Sequence, residues 1–473
     1  MSSSIKRPTR MRSRIVGTNV TGTNVTGRTD PRSGEPVGGG SRRRVDGLLG
    51  ETFLAEADRR LAGTDALLAR AYPGGAGERQ PVHTVYVPGD RYSAELPQQW
   101  GTAATRLLAE HGGVDELCRL VGLPDDLAGQ AGRRVAAKLD EEPVEDLRLD
   151  FEDGYGPRPD EQEDADAIAA AKALSAAVTE GVAPPFVGIR FKCLEAATRR
   201  RGLRTLDLFL TALLEAGGLP DGLRLTLPKV STASQVEVMV AACAVFESRA
   251  GLPAGTLGFE IQVETPPLIL AADGRATIAA ALLAGAGRVT GLHYGTYDYS
   301  ASLEVAAEEQ SMAHPAADYA KQVMQVAAAG TGVQLSDGST NVLPIGDPAA
   351  VRHAWQLHYD LVRRSLERAY YQGWDLHPGQ LPTRYLATFA FYREGFDRAA
   401  ARLAAYIGRV EGGVMDEPAT ARALARYLAR GLGCGAVEES EVQASTGLSG
   451  TELAALARPG SDTESLRAST APA

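Results

Sequence analysis

The sequence predicts an α/β fold: a (β/α)8 TIM barrel with a C-terminal helical extension. Three observations lead there. Short β-rich runs alternate with Ala/Leu-rich stretches of helical length eight times in succession. Charged residues gather where those runs end, and a barrel places its chemistry at the C-terminal ends of its strands. The 473 residues suit one barrel of about 250 residues plus an appendage. An open doubly wound sheet would alternate in the same way, but eight units in a row favour closure.

The expected strands are HTVYVPG (83–89), DLRLDFEDG (146–154), FVGIRFK (186–192), LRLTLPKV (223–230), LGFEIQVET (257–265), RVTGLHYGTYD (288–298), NVLPIGD (341–347) and GWDLHPGQ (373–380). Residues 1–44 repeat GTNVTGTNVTG and show no apolar periodicity, so they are expected to be a disordered basic segment. The barrel is expected over 45–382. An insertion at about 95–142 separates its first two strands, where "DELCRLVGLPDDLAGQAGRRVAAKL" is longer than one crossover helix needs. Residues 383–458 read as a helical lid or oligomerisation region, and 459–473 as a disordered tail.

Composition narrows the function classes. The chain is 44% hydrophobic and 23% charged, the balance of an ordinary globular protein. Its net charge of −10 hides ten Lys and Arg against two acids in residues 1–44, so a +8 head leaves −18 on the remainder. An acidic body argues against nucleic-acid binding. No run approaches the roughly twenty apolar residues of a membrane span. The four cysteines are scattered, without CxxC or zinc-type spacing, as expected of reduced thiols in a cytoplasmic protein.

The ends of the expected strands carry Asp90 and Arg91, then Asp150, Glu152 and Asp153, then Arg190, Lys192, Lys229, Glu264, Asp298, Asp347 and His377. In "FEIQVET" the polar residues Glu260, Gln262 and Glu264 share one strand face. Burying three such groups is costly without partners, so a functional lumen is the economical explanation. Two carboxylates with water and substrate oxygens are an ordinary ligand set for Mg2+. Glu264 and Asp298 close consecutive strands and are the candidate metal ligands. On spacing alone, ion pairs with Arg190 or Lys229 explain them equally well.

The motifs together resemble the HpcH/HpaI aldolase and citrate lyase β-subunit family, with its malyl-CoA and citramalyl-CoA lyases. "VYVPGDRY", "LDFEDGYG", "GIRFK", "LPKV", "IQVETPPLI", "YGTYDYSASL", "QLSDGSTNV", "DLHPGQL" and "GGVMDEPATARAL" follow the family's order across roughly residues 82–435. The resemblance implies Mg2+, or Mn2+, on Glu264 and Asp298. It implies catalytic roles for Arg190, Glu152, Asp153 and Asp416, with Glu152 and Asp153 expected to matter more than Asp150. Asp416 would act as acid/base in a neighbouring subunit's site, making the protein a homo-oligomer, a trimer or hexamer. Arg91, Lys229, Gln262 and Thr296 are the expected substrate-binding residues. The implied reaction is carbon–carbon cleavage or condensation through an enolate, on a small 2-oxo or hydroxy acid or a 3-hydroxyacyl-CoA thioester.

Two features depart from the family: Lys192 stands where it often has Asn, and Pro266-Pro267 where many members have Ala and a nearby Gly. Both are expected to touch the pocket floor, which leaves CoA use open. Arg91 suits a CoA phosphate or the distal carboxylate of a free 2-oxo acid. Two other readings stand beside the lyase: an enolate-forming phosphoenolpyruvate or oxaloacetate enzyme, and a non-catalytic metabolite-binding relative.

Overall fold

The computed structural model describes residues 49–75, 77, 79–408 and 417–458. The chain divides into two units, Met1–Arg60 and Leu61–Ala473. Helix α1 (Glu51–Ala71) begins in the first and has no buried residue. The second unit holds everything described below.

Its eight strands are all parallel. β1 (His83–Pro88), β2 (Asp146–Asp150), β3 (Phe186–Arg190), β4 (Leu223–Leu227), β5 (Phe259–Val263), β6 (Val289–Tyr294) and β7 (Gln334–Ser336) pair in sequence order, and β8 (Gly373–Asp375) pairs with β1. A bridge between Ser336 and Gln372 closes the ring. Helices α2 (Leu96–Glu110), α3 (Gly113–Leu120) and α4 (Asp125–Glu141) separate β1 from β2. The next three crossovers are single helices: α5 (Asp160–Thr179), α6 (Arg199–Ala216) and α7 (Ala233–Ala250). Then come α8 (Pro266–Ile269) and α9 (Thr277–Ala284) after β5, α10 (Thr296–Ser302) and α11 (Pro315–Ala328) after β6, and α12 (Pro348–Glu367) after β7. After β8 the chain runs through α13 (Leu381–Gly408), α14 (Pro418–Gly433), α15 (Glu439–Thr446) and α16 (Gly450–Ala457).

Local chemistry sets these elements. Asp160, Glu161 and Glu163 open α5, where carboxylates meet the positive end of the helix dipole. A Thr232–Gln235 capping box starts α7, and Gly251 at φ +69° ends it. Along the strands, side chains alternate. Val85, Leu147, Leu149, Ile189, Leu225 and Ile261 are fully buried in the apolar core outside the barrel. A second apolar cluster joins α2–α4 to α12 and α13, and a third joins α13 to α14–α16.

Most inward residues are polar, and the register stacks them in layers of four from alternate strands. Pairing of Arg190 with Thr226 and of Thr226 with Glu260, for example, carries the layer of Arg190 to Gln262, two residues further along β5. One such layer is Thr84, Gly188, Glu260 and Ser336, and the next above it is Arg148, Thr226, His293 and Trp374. These two form a closed network. Arg148 donates to Asp146, to Thr226 Oγ1 (3.0 Å) and to Glu260 Oε2 (2.7 Å). Trp374 Nε1 donates to His293 Nδ1 (3.1 Å), which leaves His293 Nε2–H directed at Glu260 Oε2, 3.2 Å away. The barrel is therefore sealed halfway down by paired charges.

Strand seven differs from the sequence expectation. It is Gln334–Ser336, not 341–347, where Pro344 removes a ladder donor and Val342 and Ile345 are exposed. Asp347 accordingly does not end a strand but caps α12, accepting the Ala350 N–H (2.8 Å). Lys192 and Pro267 do not lie on the pocket floor. Lys192 Nζ turns outward to Glu163 on α5 (2.6 Å) and to Phe151 O (2.9 Å), because alternation stops when β3 ends at Arg190. Pro266 and Pro267 open α8, with Pro267 exposed. Among the described residues no helix is long and apolar enough to cross a membrane.

Candidate active site at the barrel mouth

Above the sealed layers the register places Tyr86, Arg190, Gln262 and Gly338 in one layer and Asp150, Pro228, Gly295 and Leu376 in the next. Glu264 follows β5 at the top. Arg190 anchors this region. Its Nε and Nη2 reach the two oxygens of Asp150 at 2.7 and 2.6 Å, a bidentate pair, and the guanidinium lies over the Tyr86 ring, 4.7 Å from its centroid. Nη1 is 3.4 Å from Glu152 Oε2. Asp150 is fixed in turn by the N–H groups of Glu152 (3.0 Å) and Gly154 (2.8 Å). A Cβ on Gly154 would fall 2.5 Å from Asp150 Oδ2, so only glycine admits that approach. Burial opposes ionisation of Asp150, but Arg190 and the two amides outweigh it and hold the carboxyl below its ordinary range.

Lys229 sits at φ +50°, a left-handed backbone that costs energy for a residue with a Cβ. The turn aims its N–H at Glu264 Oε1 (2.8 Å), while Nζ hydrogen-bonds both oxygens of Asp153 (2.8 and 2.9 Å) and lies 2.9 Å from Glu152 Oε1. Glu264 is 2% exposed. A Cβ on Gly295 would meet its Cβ at 2.6 Å and Oε2 at 2.7 Å, so this glycine makes room for the carboxylate.

Burial, then repulsion from Glu152 and Asp298, raises the Glu264 pKa to about 8. Burial also raises Glu152, to about 7, against the pull of Arg190. Between the ordinary value near 4.5 and about 8, folded Glu264 keeps a proton that the unfolded chain releases. Stability in chelator is therefore expected to fall as pH rises through that window. Urea unfolding in EDTA at about pH 5.5 and about pH 8.5 checks this, and an unchanged or rising midpoint attributable to Glu264 would contradict the site's electrostatics.

The structure thus brings together Arg190, Glu152, Asp153, Lys229, Gln262 and Glu264. Asp298 stands exposed on the first turn of α10, close enough to raise Glu264. Thr296 is 2% exposed, its Oγ1 accepting the Ser339 N–H at 3.3 Å, so it clamps the loop after β7. Arg91 is exposed on the 3-10 turn after β1. Asp416 lies outside the described residues. Asp150 holds Arg190 with both oxygens, whereas Asp153 is largely exposed and meets Lys229. Tyr86 was missed because "HTVYVPG" reads as an ordinary strand, although its parity with Thr84 sets it inward.

Whether these residues suit a divalent ion is answered by the donors. Among the described residues no three His, Cys, Asp or Glu side chains are grouped to hold an ion alone. Mg2+ does not need that, since it keeps waters and takes one or two carboxylates plus substrate oxygens. Glu264 uses only Oε1, toward an N–H, and its ionisation is opposed by neighbouring acids. The donor set fits Mg2+.

A citrate lyase structure from Burkholderia xenovorans LB400 is similar in fold: TM-score 0.52 and 19% identity, covering 77% of this chain and 96% of that one. A Haloferax volcanii malate synthase with magnesium and glyoxylate aligns at TM-score 0.43 and 14% identity over 79% and 97%. A CitE protein from Mycobacterium tuberculosis with magnesium, acetoacetate and coenzyme A aligns at 0.42 and 18% over 76% and 99%. No curated protein matches. The family described as "Domain of unknown function (DUF6986)" matches residues 61–460, and the chain belongs to that family.

Proposed function

We propose that the protein is a Mg2+-dependent carbon–carbon lyase or aldolase that forms an enolate from a small 2-oxo or hydroxy acid or a 3-hydroxyacyl-CoA thioester. The observation that carries this reading is the pair of buried carboxylates, Glu264 and Glu152, beside an arginine that Asp150 fixes through both oxygens. Such a cluster favours a cation and an anionic substrate over empty water. The barrel shared with the citrate lyase structure agrees with it at the level of fold.

Glu264 and Asp298 would hold the ion, with Glu152 on its waters. When bound there, Mg2+ supplies a Lewis acid that polarises a substrate carbonyl. Arg190, oriented by Asp150 and Tyr86 before substrate arrives, keeps Nη1 beside Glu152 and would stabilise enolate charge as it develops. Lys229 holds Asp153 beside Glu152, and Glu152, poised near pH 7, can accept or return a proton.

In this reading Asp416 would serve as acid/base in the site of a neighbouring copy of the chain, which would make the protein a homo-oligomer.

Proton exchange tests the reading. In D2O with Mg2+, the methyl signal of pyruvate or acetyl-CoA, or the methylene of oxaloacetate, should fade in NMR spectra faster than in a protein-free control. EDTA should stop the effect. No protein-dependent exchange from any of the three would overturn the proposal.

A further inference from the structure

The layer just beneath the mouth contains two polar side chains that nothing in the protein satisfies. Gln262 is fully buried, and neither its amide oxygen nor its nitrogen has a hydrogen-bond partner. The Tyr86 hydroxyl in the same layer is also buried without one. Nearly all buried amides and phenols in folded proteins are paired, so two together in one layer mark a place where something else supplies the partners. The fourth member of the layer is Gly338, which presents no side chain.

The layer below offers no alternative partner. Arg148 is committed to Asp146, Thr226 and Glu260, and His293 to Trp374 and Glu260. The lumen is therefore closed beneath Tyr86 and Gln262.

We propose that Tyr86 and Gln262 form the specificity floor of the site, taking an uncharged hydrogen-bonding group, a hydroxyl or carboxamide, on the third carbon of a 2-oxo acid. The inference rests on the enolate reading above. The side chains explain the selection. A methyl group would bury the amide and the phenol unpaired. A carboxylate would enter between Glu260 below and Glu264 above, while Arg190 Nε and Nη2 are spent on Asp150 and Arg148 is closed off. Burial keeps the Tyr86 phenol protonated, so it donates, and the amide can both donate and accept. That is the pattern of a hydroxyl.

Calorimetric titration of the full chain with Mg2+ tests this, using hydroxypyruvate, pyruvate and oxaloacetate as probes and oxalate as the ligand with no third carbon. Hydroxypyruvate should bind at least about tenfold tighter than pyruvate or oxaloacetate. Tyr86→Phe and Gln262→Met should each shrink that ratio toward one, with oxalate binding reporting that each variant is folded with its mouth assembled. Oxalate binding without a hydroxypyruvate preference, or a preference that survives both substitutions, overturns the floor and leaves the enolate reading in place. Failure of all four acids to bind overturns the floor, and loss of acetyl-CoA methyl exchange as well overturns the enolate reading.

Discussion

Glu264→Gln should abolish stabilisation by Mg2+ while leaving the barrel folded. For the parent, Mg2+ at a hundred times its Kd would add about 2.7 kcal/mol to unfolding. The variant should gain nothing measurable, and oxalate should no longer add to the effect. A second signature separates loss of the ligand from general damage. The variant lacks the buried acid whose ionisation opposes folding above pH 4.5. In EDTA it should therefore lose less stability than the parent as pH rises toward about 9. Glutamine can still accept the Lys229 N–H at the Oε1 position, so the strained turn at Lys229 keeps its anchor. Urea melts of both proteins, with and without Mg2+, read all of this together.

The next largest effect is expected at Arg190. Arg190→Lys keeps the charge but cannot span both oxygens of Asp150 or lie flat on Tyr86, two contacts that depend on a planar fork. Catalysed exchange should fall on the order of 10²- to 10³-fold, the scale for losing one preorganised donor to a developing anion. Arg190→Ala adds a stability penalty, because Asp150 is then buried without its cation; breaking a buried pair from one side costs about 3–5 kcal/mol. Exchange rates and denaturant midpoints separate the two consequences. A lysine variant with parental exchange would remove Arg190 from the chemistry.

Much of this fold was legible in the sequence because strand side chains alternate by a simple rule, and in this barrel polar residues face inward or end the strands while apolar residues face outward. "DLRLD" and "FEIQV" obey it residue by residue, and the acids that followed them marked the mouth. The rule failed where strands were short. β7 has three residues, Gln334–Ser336, and only Leu335 is apolar, whereas "NVLPIGD" carries more apolar residues in a loop. It also failed just past strand ends. Lys192 has inward parity but follows the chain outward to Glu163 once β3 stops. Which carboxylate meets Arg190 and which meets Lys229 is a matter of side-chain reach that spacing does not carry. Tyr86 and Gln262 became visible only when their missing partners could be counted.

Crystals grown with Mn2+ in place of Mg2+ test directly whether Glu264 and Asp298 share one divalent ion at the mouth, through the anomalous signal of the metal. A peak within coordination distance of an oxygen of each carboxylate is expected, with Arg190 still clamped on Asp150. A fully loaded crystal with no peak between Glu264 and Asp298 would contradict it.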